Sequence, residues 1–106
     1  MNSLVDESIT AVANEVQHQL NKLFATTGTP EAESTLDQAG LKDGAMIVRD
    51  YVDHGEQGIA FEHLIYMITE PNIEITAQAY RQLVEAGMIL GFSPATWAKV
   101  RYNLSG

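Results

Sequence analysis

The spacing of apolar residues predicts helices along most of the chain. Between Leu4 and Phe24, apolar side chains recur at steps of three and four residues, which places most of them on one stripe of a helix over residues 4–25. The same kind of pattern predicts a second helix over residues 41–54 and a third over residues 57–70. The third pattern is apolar over a wide arc, so we expect that helix to be the most buried.

The last third of the chain carries clear helix start and stop signals. Thr76 is a suitable N-terminal cap for a helix that ends at Gly87 or, at the latest, at Gly91. A capped start at Ser93-Pro94 then predicts a final helix that carries Trp97 and reaches residue 104.

Little in the sequence predicts β-structure. The alternation typical of half-buried strands is missing, and only residues 72–75 have some β-character. Residues 26–40 are polar and predict a connector, with a short helical start at Thr29-Pro30. We therefore expect a single all-α domain over residues 1–106, folded as a compact bundle of five or six short helices.

Composition narrows the possible functions. With 106 residues, the chain is long enough for one compact core. It has no cysteine, which excludes disulfides, iron–sulfur clusters and thiol nucleophiles. No signal peptide or membrane-spanning segment is recognisable, so the expected location is the cytoplasm. The sequence contains no nucleophile, phosphate-binding or metalloprotease motif, so we expect neither an enzyme nor a bound cofactor.

The negative charge is concentrated in the middle of the chain. The formal net charge is -8, and residues 31–74 hold ten acidic and two basic residues, while the acids and bases elsewhere cancel. Helical spacing places Asp43, Asp50 and Asp53 on one face of their helix, and Glu62 and Glu70 on one face of the next. Such a surface repels nucleic acid but favours a basic protein partner, although an ordinary solvated surface would look the same.

Residues 49–64 are the most distinctive part of the sequence, because two predicted helices meet there at a corner with glycines. This part, with a later helix, resembles the central segment of small all-helical bacterial immunity proteins, namely the MafI-type proteins and helical immunity proteins of contact-dependent growth inhibition systems. The resemblance covers residues 43–92. It rests on Asp50-Tyr51-Val52, His54-Gly55-Glu56-x-Gly58-x-Ala60, Phe61-Glu62-His63-Leu64, Tyr80-x-x-Leu83, Gly87 and Gly91-Phe92.

The resemblance implies a non-catalytic protein that binds and neutralises a cognate toxin domain, usually a nuclease such as an RNase or tRNase. A nuclease presents a basic substrate groove, which an acidic helical face complements. The protein could plug the active site of the toxin or cover an adjacent surface. Tyr51 is a further candidate contact, because aromatic residues often carry much of the binding energy of an interface. The expected toxin-binding residues are Asp50, Asp53, Glu56, Glu62, His63, Tyr66 and Glu70.

Three other interpretations of the function rest on fewer features of the sequence. A regulatory or adaptor bundle would bind another protein through an exposed apolar groove, for which Met88, Trp97 and Tyr102 are candidates. A zinc site would need His54, Glu56 and His63, but their spacing matches no established motif. A DNA-binding helix-turn-helix over residues 76–104 would have only three basic residues, so nucleic acid is not an expected partner. A membrane is not an expected partner either, because no membrane-spanning segment is recognisable.

Overall fold

The computed structural model describes residues 3–27, 43–71 and 73–103. The helices are α1 (Ser3–Thr27), α2 (Gly44–Asp53), α3 (Gln57–Thr69) and α4 (Ala77–Leu90). A 3-10 turn covers Pro94–Trp97, and two short strands are β1 (Glu74–Thr76) and β2 (Arg101–Asn103). The protein is mostly helical, as predicted.

Helix α1 is the longest helix and packs against the other three. Its predicted stripe is confirmed, because Val5, Ile9, Val12, Val16 and Leu20 are all buried. These side chains belong to one continuous hydrophobic core that also includes residues of α2, α3 and α4. Within the three described ranges, no helix is both long and apolar enough to cross a membrane.

Helices α2 and α3 form a hairpin around a tight corner. Gly55 has a φ of 76°, a conformation that glycine adopts without steric cost, and the N–H of Glu56 donates to the carbonyl of Tyr51 at 2.8 Å. The other end of the hairpin is held by close packing of Gly44 on Met67, where an added Cβ would lie 2.5 Å from the methionine Cε. This hairpin matches the predicted helices over residues 41–54 and 57–70 to within a few positions.

The expectation of five or six helices is wrong for the described residues, which contain four α-helices and one 3-10 turn. The predicted final helix stops after Trp97 and is replaced by β2, which pairs in parallel with β1. Trp97 and Val100 are both buried in the core, and Tyr102 stacks on Tyr80 with ring centroids 4.0 Å apart. These contacts hold the chain extended beyond Val100. The first two residues of the predicted connector over residues 26–40 belong to α1. The rest of the connector, including the predicted helical start at Thr29-Pro30, lies outside the described residues.

Helix α4 begins and ends where the capping signals indicate. The Oγ1 atom of Thr76 accepts a hydrogen bond from the N–H of Ala79 at 3.1 Å, and Gly91 ends the helix with a φ of 90°. Gly87 does not end the helix but is buried inside it, against Phe61 and Trp97.

Side chains of α1 hold the beginnings of two other helices. The carboxylate of Glu15 accepts hydrogen bonds from both the N–H and the hydroxyl of Thr76, each at 2.9 Å. The Oε1 atom of Gln17 accepts from the N–H of Ala45 at 2.9 Å. Backbone N–H groups at helix starts have no partner within their own helix, so α1 provides acceptors that those segments lack.

Candidate functional site

Three of the candidate acids surround His54 at the corner between α2 and α3. The Nδ1 atom of His54 donates to the carbonyl oxygen of Asp50 at 2.7 Å and lies 3.6 Å from its carboxylate. The backbone hydrogen bond to Asp50, followed by the negative charge of Asp50, raises the pKa of His54 above 6.5. Desolvation opposes this rise, and Glu56 and Asp53 make smaller contributions that raise the pKa further. The carboxylates of Asp50, Asp53 and Glu56 therefore all lie close enough to His54 to influence its pKa.

We expect Asp50→Asn to lower the pKa of His54 without returning it fully to 6.5, because the backbone hydrogen bond remains. Titration of the His54 ring protons by NMR measures this change. In the wild-type protein, the protonated ring stabilises the fold below pH 6.5, and this contribution is lost as the pH rises through the raised pKa. An unchanged pKa in Asp50→Asn would contradict the electrostatic role of this carboxylate.

The acidic corner also includes residues from α1 that the sequence pattern does not identify. Asp6, Glu7 and Asp53 line an open groove of about 440 Å³ between α1 and the end of α2. A second groove of about 360 Å³ shares Asp6 and Asp53 and continues to His54 and Gln57, whose Nε2 donates to Asp6 at 3.2 Å. In the sequence, Asp6 and Glu7 are 43 or more positions from the corner, and only the packing of α1 on α2 brings them there. We call Asp6, Glu7, Asp50, Asp53 and Glu56 the corner acids.

The remaining candidates lie along the solvent side of α3. Glu62 and Glu70 are exposed, whereas His63 and Tyr66 are half-buried between them, with ring centroids 5.9 Å apart. The two carboxylates are separated by about 12 Å along the helix axis, at 1.5 Å per residue. We call Glu62, His63, Tyr66 and Glu70 the α3 stripe. It combines negative charge with an aromatic surface.

Several of these carboxylates have no structural role that would explain their position. Glu56 occupies the N-terminal cap position of α3, but its side chain makes no capping hydrogen bond. Among the described residues, Asp53, Glu62 and Glu70 form no side-chain hydrogen bond or ion pair. Arg49 is also exposed on α2, so the hairpin surface is strongly, but not exclusively, negative.

The residues considered for zinc do not form a ligand set. His54 is exposed at the corner, whereas His63 is half-buried beside Tyr66. In the part of the chain that the structure describes, no group of three or more histidine, aspartate or glutamate side chains could hold a metal ion. Tyr51, the further candidate anchor, is half-buried and packs against the core.

An open apolar groove of about 510 Å³ lies on the outer side of α4, and of the three residues that the adaptor interpretation names, only Met88 lines it. Met88 lines it and is 65% exposed, and Tyr102 adjoins it through its stacking on Tyr80. Trp97 is not part of the groove, because it is buried against Phe61 with ring centroids 6.2 Å apart. The groove is lined by Tyr80, Arg81, Val84, Glu85, Met88 and Ile89.

The protein thus has an acidic surface on the α2–α3 hairpin and an apolar groove on α4. Comparison of the chain with protein-family models, with curated proteins and with solved structures finds no match.

Proposed function

We propose that this protein is a bacterial immunity protein that binds and neutralises a toxin domain with a basic active-site region, as in a nuclease. The observation that carries the proposal is the set of corner acids, which α1, α2 and the α2–α3 corner bring to one side of the molecule. Repulsion among them opposes folding slightly. Asp6 accepts a hydrogen bond from Gln57 and Asp50 lies beside His54, but the side chains of Asp53 and Glu56 make no hydrogen bond or ion pair with other described residues. A basic partner surface would remove that repulsion and use the charge for binding.

The corner acids act on such a toxin through charge complementarity. A nuclease binds its substrate through positively charged side chains that contact phosphates, and carboxylates can occupy the same positions. The acids also attract the toxin from a distance, which speeds association and makes the rate depend on salt concentration. The α3 stripe adds Tyr66 and His63, which supply contact area that charge alone does not. In this mechanism the protein is not an enzyme and needs no cofactor.

The first test is co-expression of the chain with the toxin domain encoded by the adjacent upstream gene. We expect the toxin domain alone to stop growth, and the chain to restore it by forming a complex that purifies intact. A harmless neighbour, or toxicity that the chain leaves untouched, would contradict the proposal.

Charge-reversal variants test whether the corner acids or the α3 stripe bind the toxin. We expect the double variant Asp53→Lys, Glu56→Lys to raise the Kd for the toxin about 100-fold, because attraction becomes repulsion at two central positions. Titration calorimetry or surface plasmon resonance measures this change. The variant Glu62→Lys tests the α3 stripe separately and is expected to have a smaller effect.

The matched control is the triple variant Glu74→Lys, Gln78→Lys, Ala98→Lys. It changes the net charge by the same amount at three exposed positions outside both the hairpin and the α4 groove. We expect it to keep its affinity for the toxin. An equal loss in the control would mean that overall charge, and not the corner acids, controls binding.

The apolar groove on α4 supports a second candidate function, that of a regulatory or adaptor protein without a toxin partner. Such a protein binds an amphipathic helix through apolar contacts, so its complex would be insensitive to salt and to reversal of the corner acids.

A further inference from the structure

The outer face of α4 differs in its charge from the acidic surface of the α2–α3 hairpin. Helix α4 contains only two charged residues, Arg81 and Glu85, and they cancel in a chain whose net charge is -8. Both line the apolar groove together with Val84, Met88 and Ile89. Met88 and Ile89 are 65% and 46% exposed. This face is therefore neutral and apolar.

The two charges are placed so that the face complements itself. Arg81 and Glu85 are four residues apart, so they lie on the same side of α4 with opposite signs. If a second copy is rotated about a two-fold axis level with Leu83, midway between Arg81 and Glu85 along the helix, the two α4 helices run antiparallel. Arg81 of each copy then lies beside Glu85 of the other, with Val84 and Met88 on one side of the pairs and Ile89 on the other.

We propose that the α4 face is a homodimer interface, in which two copies pack α4 against α4 in antiparallel orientation. A two-fold dimer uses the same patch on both subunits, so the patch must be complementary to itself, and the reciprocal Arg81–Glu85 pairs meet that condition. The electrostatics also favour this face, because its two charges cancel and copies that meet there do not bring two negatively charged patches into contact. This proposal goes beyond the immunity function and does not depend on it.

Sedimentation equilibrium of the full chain, over a concentration range up to several hundred micromolar, is the direct test. We expect a reversible monomer–dimer equilibrium for the wild-type protein. Arg81→Glu and Glu85→Arg each turn two reciprocal attractions into repulsions, so we expect each to raise the dimer Kd about tenfold or more. The double variant Arg81→Glu, Glu85→Arg restores opposite signs across the two-fold axis, and its Kd should return towards that of the wild-type protein.

The control for Arg81→Glu is Arg49→Glu, which makes the same change in net charge at an exposed site on α2. It should leave the dimer Kd within about twofold of the wild-type value. Circular dichroism verifies that all variants remain folded, and Met88→Lys provides a second disruption that does not rely on the charge pair.

Three outcomes would overturn the proposal: a wild-type chain that is monomeric at every concentration, a dimer that the single reversals do not weaken, or a double variant that does not regain affinity. The last two would show that the dimer does not form through reciprocal Arg81–Glu85 pairs on α4. None of them bears on toxin binding, which the corner acids test separately.

Discussion

Phe61→Ala is expected to lower the free energy of unfolding by about 3–5 kcal/mol, the largest stability effect of the substitutions considered. Phe61 is fully buried in the middle of α3. Its ring stacks on Phe92 with centroids 4.9 Å apart and meets the Trp97 ring edge-on. Removing it leaves a cavity among rigid rings and the backbone of α4, which cannot easily collapse to fill the space.

Urea denaturation followed by circular dichroism measures this change. The matched control is Ile59→Ala, two positions earlier in the same helix, where the side chain is 45% exposed. We expect the control to cost about 1 kcal/mol or less, since little buried area is lost. Similar losses in both variants would contradict the packing described around Phe61.

Gly87→Ala is expected to lower the free energy of unfolding by about 1–3 kcal/mol, although alanine is the better helix former. A Cβ at this position would lie 2.7 Å from Cζ of Phe61 and also against the ring of Trp97. Both neighbours are buried aromatic rings, so accommodating the methyl group requires α4 to move away from α3 and from the 3-10 turn.

Gly58→Ala is the control for this effect, because Gly58 also lies in a helix but has no atom within 4 Å of an added Cβ. We expect this variant to be more stable than the wild type by about 0.5–1 kcal/mol. Thermal unfolding of the two single variants, side by side, compares the same substitution with and without space for it. Stabilisation by Gly87→Ala would show that α4 is not closely packed on Phe61 and Trp97.

The helices that could be predicted from sequence are those whose apolar spacing continues over several turns. Helix α1 and the hairpin of α2 and α3 are of this kind, and Thr76 and Gly91 mark the two ends of α4 correctly. The C-terminal segment was predicted wrongly, because the start signal at Ser93-Pro94 supports only one turn of 3-10 helix. What replaces the expected helix is a three-residue strand, whose pairing partner is 27 positions away and leaves no local pattern.

The candidate site shows the same limit. Periodicity along a single helix correctly placed Asp50 and Asp53 on the exposed side of α2, and Glu62 on that of α3. It could not show that Asp6 of α1 joins the corner, because that depends on how α1 packs against the hairpin. The sequence leaves open whether α4 ends at Gly87 for a related reason, because the role of Gly87 is to leave space for the buried rings of Phe61 and Trp97.

The hydrogen bonds from Glu15 and Gln17 of α1 to Thr76 and Ala45 have a consequence for folding during synthesis. Helix α1 leaves the ribosome first, but the segments whose N–H groups it accepts emerge later, and α4 emerges last. Until α4 emerges, the part of the α1 stripe that packs against it stays exposed, although α2 and α3 can already cover the rest, and an isolated helix of 25 residues gains little stability in water. Trp97 and Val100 also belong to the core. We therefore expect the nascent chain to remain open to chaperones and proteases until residue 100 has been released, and then to fold in one cooperative step.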